Sequence, residues 1–581
     1  MSYHLGDAPD LVTLLRQQVA DRPDNDALGF LADPDDIEQG VVRWTYADLD
    51  RHARHNAAWM QEHLPAGSRV LLLYPNQLEF VAAFVGCLYA GMIAVPAPLP
   101  GQHRHHRQRV ATITANAEVA AVFTSTAQLP AVHEWAAASG VDAPVLAGDD
   151  PELADPAAWR PVPLDRSSVA LLQYTSGSTG DPKGVVITHD NILHNLHSAT
   201  TEVGGWGPDQ RLCGWIPMYH DLAMQGLLLA TILRGTYCLL MEPMTFVRRP
   251  LRWLRVIDVH DINVTFAPNF AYELCVSKVS DAEVATLNLT RWNLAGNASE
   301  PVNPTILTAF AKKFGPAGFR AESFAPIYGM AEATGYISGC ADRPPRVERV
   351  DLGLLAEGRF VPGQDGPVRE IVSCGPPTTA CEVRIVDPAT AQERPDGRLG
   401  EIWLRGRSIG RGYWRRDDGA FGAATAAGEE GFLRTGDLGF RHDGEIFVHG
   451  RLKDTLIVHG RNIYPQDVEQ ELRERHPELG RIGAVFSGLA DPVAGDAEGV
   501  VVTYEVDRVA RDRLPALAAA IRHTVGREFG VQVAAVVLLS PGSVQRTTSG
   551  KVRRSAMRTL YREGSLKALY HHPALEPETR A

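Results

Sequence analysis

The sequence predicts an α/β protein. A large N-terminal domain of helix-covered sheets carries a β-rich subdomain, and a small α+β C-terminal domain follows. Three observations predict this. Over residues 45–336 short apolar runs alternate with amphipathic helical patterns, which argues for largely parallel sheets covered by helices. Over residues 381–458 the pattern changes to short strands separated by Gly/Asp turns. Beyond residue 454 a compact unit mixes strands with one long helix. At 581 residues the chain is too long for one core. The expected division is 1–452, with the β-rich part from about 376, and 453–581.

Taken in order, "RVLLLYP" reads as strand, "LEFVAAFVGCLYAG" as helix, "VAAVFTST" and "VALLQY" as strands and "PLRWLRVIDVHDI" as helix. The stretch from residue 80 to 102 is uncharged and long enough to span a bilayer, but Gly91, Pro96, Pro98 and Pro100 divide it into helix, short strand and loop. Stable membrane insertion is therefore not expected. "EVRIVDP", "GEIWLRG", "FLRTGDLGF" and "GEIFVHG" are the strands of the β-rich part, and "RRDDGAFGAATAAGEEG" reads as an exposed loop. "GVVVTYEV", "LPALAAAIRHTVGREFG" and "VAAVVLLS" build the last unit. "QHRHHRQR", at 102–109, lacks carboxylates and ligand spacing, so it reads as a solvated loop rather than a metal site.

Charge and cysteine usage narrow the function class. A net charge of −12 argues against nucleic-acid binding. The seven cysteines are scattered and form no C-x-x-C, which fits a reducing compartment. The first residues lack the basic start and apolar run of a signal peptide, so a cytoplasmic location is expected. Only seven lysines occur, and arginine carries nearly all the positive charge. A lysine kept in such a chain points to a need for a compact, flexible ammonium.

The stretch "YTSGSTGDPKGV" follows a strand and combines glycines, hydroxyls and Lys183. Consecutive N–H groups and hydroxyls in one concavity suit phosphate oxygens. It is not a Walker A loop, because Lys183 stands between Pro182 and Gly184 and opens no helix. By itself the loop is also compatible with an ordinary surface turn.

This stretch resembles the nucleotide loop of the adenylate-forming superfamily, and further motifs follow in that family's order. They are "IYGMAEAT", "RTGDLG", "GRLKDTLIVHGRNIYPQDVE" and "TSGKVRR". Together with "MYHD", "APNFAYELC", "SEPV" and "VSCG", they make the chain similar to the fatty acyl-AMP ligases. An extended region between 334 and 375 resembles the insertion that sets these ligases apart from acyl-CoA synthetases, where it is thought to restrain domain movement and disfavour coenzyme A.

The resemblance implies ATP-dependent activation of a fatty acid to acyl-adenylate with release of pyrophosphate. The acyl group then passes to the phosphopantetheine thiol of a separate acyl carrier protein, since the chain ends soon after Lys551. Thr175, Ser176, Gly177, Ser178, Thr179, Gly180 and Lys183 would cradle the β/γ-phosphates, and Mg2+ would sit at Glu332 and Thr179. Ser299, Glu300, Pro301, Tyr328, Gly329, Met330 and Ala331 would surround the adenine, with Asp437 and Arg451 on the ribose. Lys453 takes the hinge position between the large domain and a mobile small one. Lys551 would bridge the fatty carboxylate and the α-phosphate, and His220 would stand near the acyl site; a satisfied core histidine is its alternative.

Apolar runs such as "GLLLATILRG" would line a fatty tunnel or simply fill helix core. Ala223, Ala298 and Ile463 depart from the family's usual residues, and the methyl of Ala223 is expected to alter the acyl pocket. Arg554, Arg558 and Arg562 share a helical face that would help dock an acidic carrier or would simply be solvated. A monomer or weak dimer is expected. Rival readings are an acyl-CoA synthetase, an amino-acid adenylation domain and a non-catalytic nucleotide-binding scaffold.

Overall fold

In the computed structural model of the chain, the described residues are 4–101, 104–175, 182–202, 207, 209–341, 343–363, 368–458, 461–488, 499–506, 509–547 and 551–573. Among them, two large sheets dominate the N-terminal part. One has six strands and the other eight, and both are parallel except at their edges. Helices Tyr46–His63 and Leu78–Ala90 lie between them. Leu72, Ala94 and Leu171 of one sheet share a buried cluster with Leu239, Val264 and Ala295 of the other, joined through Ala53, Ala57, Val81 and Val85. Sheets buried this way need the near-continuous apolar strands seen in the sequence.

Local chemistry sets the boundaries. Helix Tyr46–His63 starts at a capping box in which Thr45 and Asp48 satisfy each other's backbone N–H groups. Helix Leu78–Ala90 stops at Gly91, whose φ of 68° only glycine adopts freely. Strand Ile93–Ala97 follows at once, so residues 80–97 of the uncharged stretch are α/β core, buried but for Gly91. Among the described residues no helix is long and apolar enough to cross a membrane. Segment 102–109 departs from expectation, because helix Arg104–Ala117 begins inside it. Val110 and Ile113 of that helix bury against the six-stranded sheet.

The β-rich part is a four-stranded antiparallel sheet, Cys381–Val386, Gly400–Gly406, Leu433–His442 and Glu445–Arg451. The extended region before it is a packed element. Strands Val347–Asp351 and Val368–Val372 pair antiparallel, and Val350, Leu355, Phe360 and Ile371 bury against Phe440 and Phe447 of the sheet.

The smaller C-terminal domain has a four-stranded sheet with helices on both faces. The strands alternate as a two-faced sheet requires. Val485 and Val536 meet helices Pro465–Arg475 and Leu514–Phe529, while Phe486 and Val537 meet Met557 and Tyr561. Ile463 sits in the first of these clusters.

Candidate active site

A cavity of about 990 Å³ lies where the two large sheets, the β-rich sheet and the C-terminal domain meet. That is the size of a nucleotide- or lipid-binding site. It collects residues from Arg109 to Ser555, and it is built around three groups of side chains.

The first group surrounds Asp437. Strands Leu433–His442 and Glu445–Arg451 form a hairpin whose register sets Asp437 opposite Arg451. Asp437 is 6% exposed. Its Oδ1 lies 2.8 Å from Arg451 Nε, and its Oδ2 accepts the Tyr328 hydroxyl at 2.9 Å. The Asp437 carboxylate holds the Arg451 guanidinium above its usual pKa, and burial pushes the Tyr328 hydroxyl far up, keeping it a donor. Tyr328 belongs to strand Phe324–Met330, which turns back through Ala331–Ala333 into Gly335–Gly339. This hairpin demands glycine at 329, because a Cβ there would stand 2.1 Å from the Gly335 carbonyl oxygen. Ser299, at φ 75°, is a non-glycine residue in left-handed backbone, a conformation that clusters at functional sites. Pro301, Met330, Ala331 and Ala298 line the same wall.

The second group surrounds Lys183. Strands Val169–Thr175 and Lys183–Thr188 pair antiparallel with Thr175 opposite Lys183, so the Gly/Ser stretch joins the two strands of a hairpin. Ser176, Gly177, Ser178, Thr179 and Gly180 lie outside the described residues. Lys183 Nζ pairs with Asp418 and stands 4.6 Å from the centroid of the Tyr413 ring. The Tyr413 hydroxyl donates to Glu332 Oε1 at 2.8 Å. Burial raises the Glu332 pKa, outweighing the Tyr413 hydrogen bond that favours its charge. The 415–431 stretch is largely exposed, as its sequence implied, yet Asp418 within it lines the cavity; neither Asp418 nor Tyr413 was singled out from sequence.

The third group surrounds Lys551, carried into the cavity by the C-terminal domain. Its N–H donates to Thr547 Oγ1 at 3.0 Å, its carbonyl accepts from the Thr547 N–H at 2.7 Å, and Arg546 and Val552 form an isolated antiparallel bridge beside it. Burial lowers the Lys551 pKa, while Asp221 opposes the shift. Asp221 Oδ1 lies 2.7 Å from His220 Nδ1. Burial works against the Asp221 charge, yet His220 and Lys551 outweigh it and hold the carboxyl near pKa 2. His220 is thus the N-cap of a helix at the cavity wall rather than a residue sealed in the core. Glu300 accepts the Phe270 N–H at 2.6 Å, and burial pushes its pKa up to about 7. Lys453 lines the cavity from the turn Leu452–Asp454 and is exposed.

Several expectations are corrected. Ala223 is fully buried and does not line the cavity, so its methyl faces core. Leu227, Leu228 and Leu229 are also core, whereas Gln225, Gly226 and Ala230 line the cavity. Arg554 pairs with Glu469 at 2.5 Å and Asp454 at 3.6 Å, so its charge is taken up inside the domain. Arg109, dismissed in sequence as part of a solvated loop, lines the cavity.

The C-terminal domain is held to the large one by named contacts. Arg369, on strand Val368–Val372 of the extended region, pairs with Asp467 on helix Pro465–Arg475; their side chains are 16% and 8% exposed. Gln466 Nε2 donates to the His449 carbonyl at 2.6 Å. Arg473 and Arg481 stand 3.8 and 3.9 Å from Glu273.

Comparison with known proteins accords with this geometry. The family model of AMP-binding enzymes matches residues 15–414. The chain is 37% identical to the medium-chain-fatty-acid–acyl-carrier-protein ligase JamA of Moorena producens, over 91% of each chain. A solved structure from work on the fatty acyl-adenylate ligases of E. coli and L. pneumophila superposes with a TM-score of 0.84 at 30% identity, covering 97% of this chain and 98% of that one. The L. pneumophila fatty acyl-adenylate ligase in complex with acyl adenylate and pyrophosphate gives 0.74 at 30% identity, over 97% of both chains. The chain belongs to the AMP-binding enzyme family, among its fatty acyl-AMP ligases.

Proposed function

We propose that this enzyme joins a fatty acid to AMP and then passes the acyl group to the phosphopantetheine thiol of a separate acyl carrier protein. One observation carries the reading. Lys551 of the small domain enters the cavity that also holds the Asp437–Arg451–Tyr328 and Glu332–Tyr413–Lys183 groups. In the first step a carboxylate oxygen attacks the α-phosphorus of ATP. The new C–O–P bond forms as the α–β phosphoanhydride breaks, and pyrophosphate leaves. Both reactants are anionic, so positioning and charge neutralisation dominate.

Asp437 accepts the ribose hydroxyls, and Arg451 fixes Asp437. Tyr328, Gly329, Met330 and Ala331 form one wall of the adenine site, with Ser299, Glu300 and Pro301 opposite. Lys183 exchanges Asp418 for the β/γ-phosphates, held with Thr175, Ser176, Gly177, Ser178, Thr179 and Gly180. Lys551 spans the carboxylate and the α-phosphate, and the His220–Asp221 pair orients the acid beside it. Glu332 fits Mg2+, being an oxygen donor held in the cavity wall by Tyr413, with Thr179 as its partner. The ion would offset polyphosphate charge when bound.

In the second step the carrier thiol attacks the acyl carbonyl, AMP leaves and the thiol proton passes to solvent. We place the boundary of the small domain at Lys453, the hinge about which it turns to withdraw Lys551. The Arg369–Asp467 pair supports a restrained swing, and with it a tethered thiol rather than coenzyme A. The test supplies ATP, Mg2+ and a mixed fatty-acid pool, identifies acyl-adenylates by mass spectrometry, and then adds carrier proteins or coenzyme A. Acyl-adenylate discharged by a carrier and not by coenzyme A is expected. No acyl-adenylate, or equal discharge by coenzyme A, would count against the reading.

A further inference from the structure

A site for an alkyl chain should present groups that need no hydrogen bond, and one wall of this cavity does not. Gln225 lines it and is 3% exposed, yet neither its Nε2 nor its Oε1 has a partner among the described residues. A buried amide left in that state is costly, and natural proteins seldom leave one so. Its polar neighbour cannot serve. Asn195 lies across Gly335 from Gln225. Asn195 Oδ1 accepts from the Tyr336 N–H at 3.2 Å, and its Nδ2 donates to the Ala333 and Tyr336 carbonyls at 3.2 and 2.7 Å. Leu222, Gly226, Ala230 and Phe266 supply apolar lining on the same side.

The backbone explains how the amide comes to face the cavity. Gln225 sits in a π-helical turn, Met224–Leu229, a widened turn frequent at functional sites. Leu227, Leu228 and Leu229 of that turn are wholly buried outside the cavity, while Gln225 and Gly226 line it. Gln225 is five residues beyond His220, past the short helix Asp221–Ala223 that His220 caps. The amide is thus separated from the place where the carboxylate is activated.

We propose that Gln225 makes this site select carboxylic acids bearing a hydroxyl or oxo oxygen within the acyl chain over unsubstituted alkanoic acids. The inference rests on the adenylation reading above. An amide offers both donors and acceptors, so it pairs with a hydroxyl in either sense and with a ketone through Nε2. An alkyl chain seated there would leave the amide dry and unpaired, and such a mismatch separates substrates strongly.

The test measures kcat/KM for pyrophosphate release with dodecanoic acid and a positional series of hydroxy- and oxododecanoic acids, using wild type, Gln225→Met and Gln225→Leu. In wild type at least one substituted acid should exceed dodecanoic acid by about tenfold or more. Both variants should turn over dodecanoic acid faster than wild type and lose the preference. The unliganded Met variant, a near-isosteric apolar swap, should melt no lower than wild type. The proposal is overturned if dodecanoic acid is the best wild-type substrate, as it would be were water to satisfy the amide. It is equally overturned if the ratio is unchanged in the Met variant. Turnover without preference removes only this inference; no pyrophosphate from any acid removes the adenylation reading as well.

Discussion

Replacing Asp437 tests the nucleotide half of the site. Asp437→Ala removes the acceptor of the buried Tyr328 hydroxyl and the partner of Arg451. A hydrogen bond to a charged group is worth about 1.5–3 kcal/mol. The Arg451 side chain is 42% exposed, which places its leg at the low end of that range. The Tyr328 leg is buried on both sides and keeps its worth. Losing the ribose acceptor should therefore raise KM for ATP roughly ten- to hundredfold, and the protein itself should lose about 2 kcal/mol of stability. Asp437→Asn keeps an acceptor for Tyr328, so it should recover most of the stability and little of the nucleotide affinity. Steady-state pyrophosphate release over an ATP series, with urea denaturation of each variant, reads both quantities. An Asp437→Ala enzyme with unchanged KM for ATP would refute the placement of the ribose on this carboxylate.

Other parts of the site make separate predictions. Burial raises the Glu300 pKa to about 7 in the folded state, above its unfolded value near 4.5. The folded state thus binds the proton more tightly, and this contribution to stability is lost as pH rises from about 4.5 through 7. Glu300→Gln should gain on wild type across that window, by on the order of 3 kcal/mol at most; a melting-temperature difference that stays flat from pH 5 to 8 would contradict it. Arg369→Met leaves Asp467 buried without its guanidinium, a loss of about 3 kcal/mol in the contact between hairpin and C-terminal domain. Hydrogen exchange in helix Pro465–Arg475 should quicken, and unchanged protection would show that the pair does not hold the domain.

The fold was legible because strand and helix periods are local properties. The hydrophobic runs at 69–75, 78–91, 169–174 and 250–262 each carry their own period, and each became the element it implied. Motif order carried the site further, drawing Lys183, Glu332, Asp437 and Lys551 together across 368 residues of chain. What sequence could not show is which partner a charge takes. Tyr413 reaches Glu332 across 81 positions and Lys183 reaches Asp418 across 235, and no local pattern encodes either pair. Arg554 lies on the helix that its spacing implied, but Glu469 takes its charge. The leucines after Gln225 had a helical period that fits tunnel and core equally well, and packing settled it in favour of core. Gln225 did carry a signal, a lone amide within "LAMQGLLLATIL", but only the π-turn shows where that amide lies.

On the proposed reading, one ammonium brought by the small domain neutralises the anionic meeting of acid and nucleotide. Single-turnover formation of acyl-adenylate by wild type and Lys551→Ala, quantified with its pyrophosphate by mass spectrometry, tests it most directly. Equimolar acyl-adenylate and pyrophosphate from wild type, with a rate at least about a hundredfold lower in the variant at unaltered melting temperature, is the predicted result. An undiminished rate in Lys551→Ala, or a wild type that makes no mixed anhydride from any fatty acid, would contradict it.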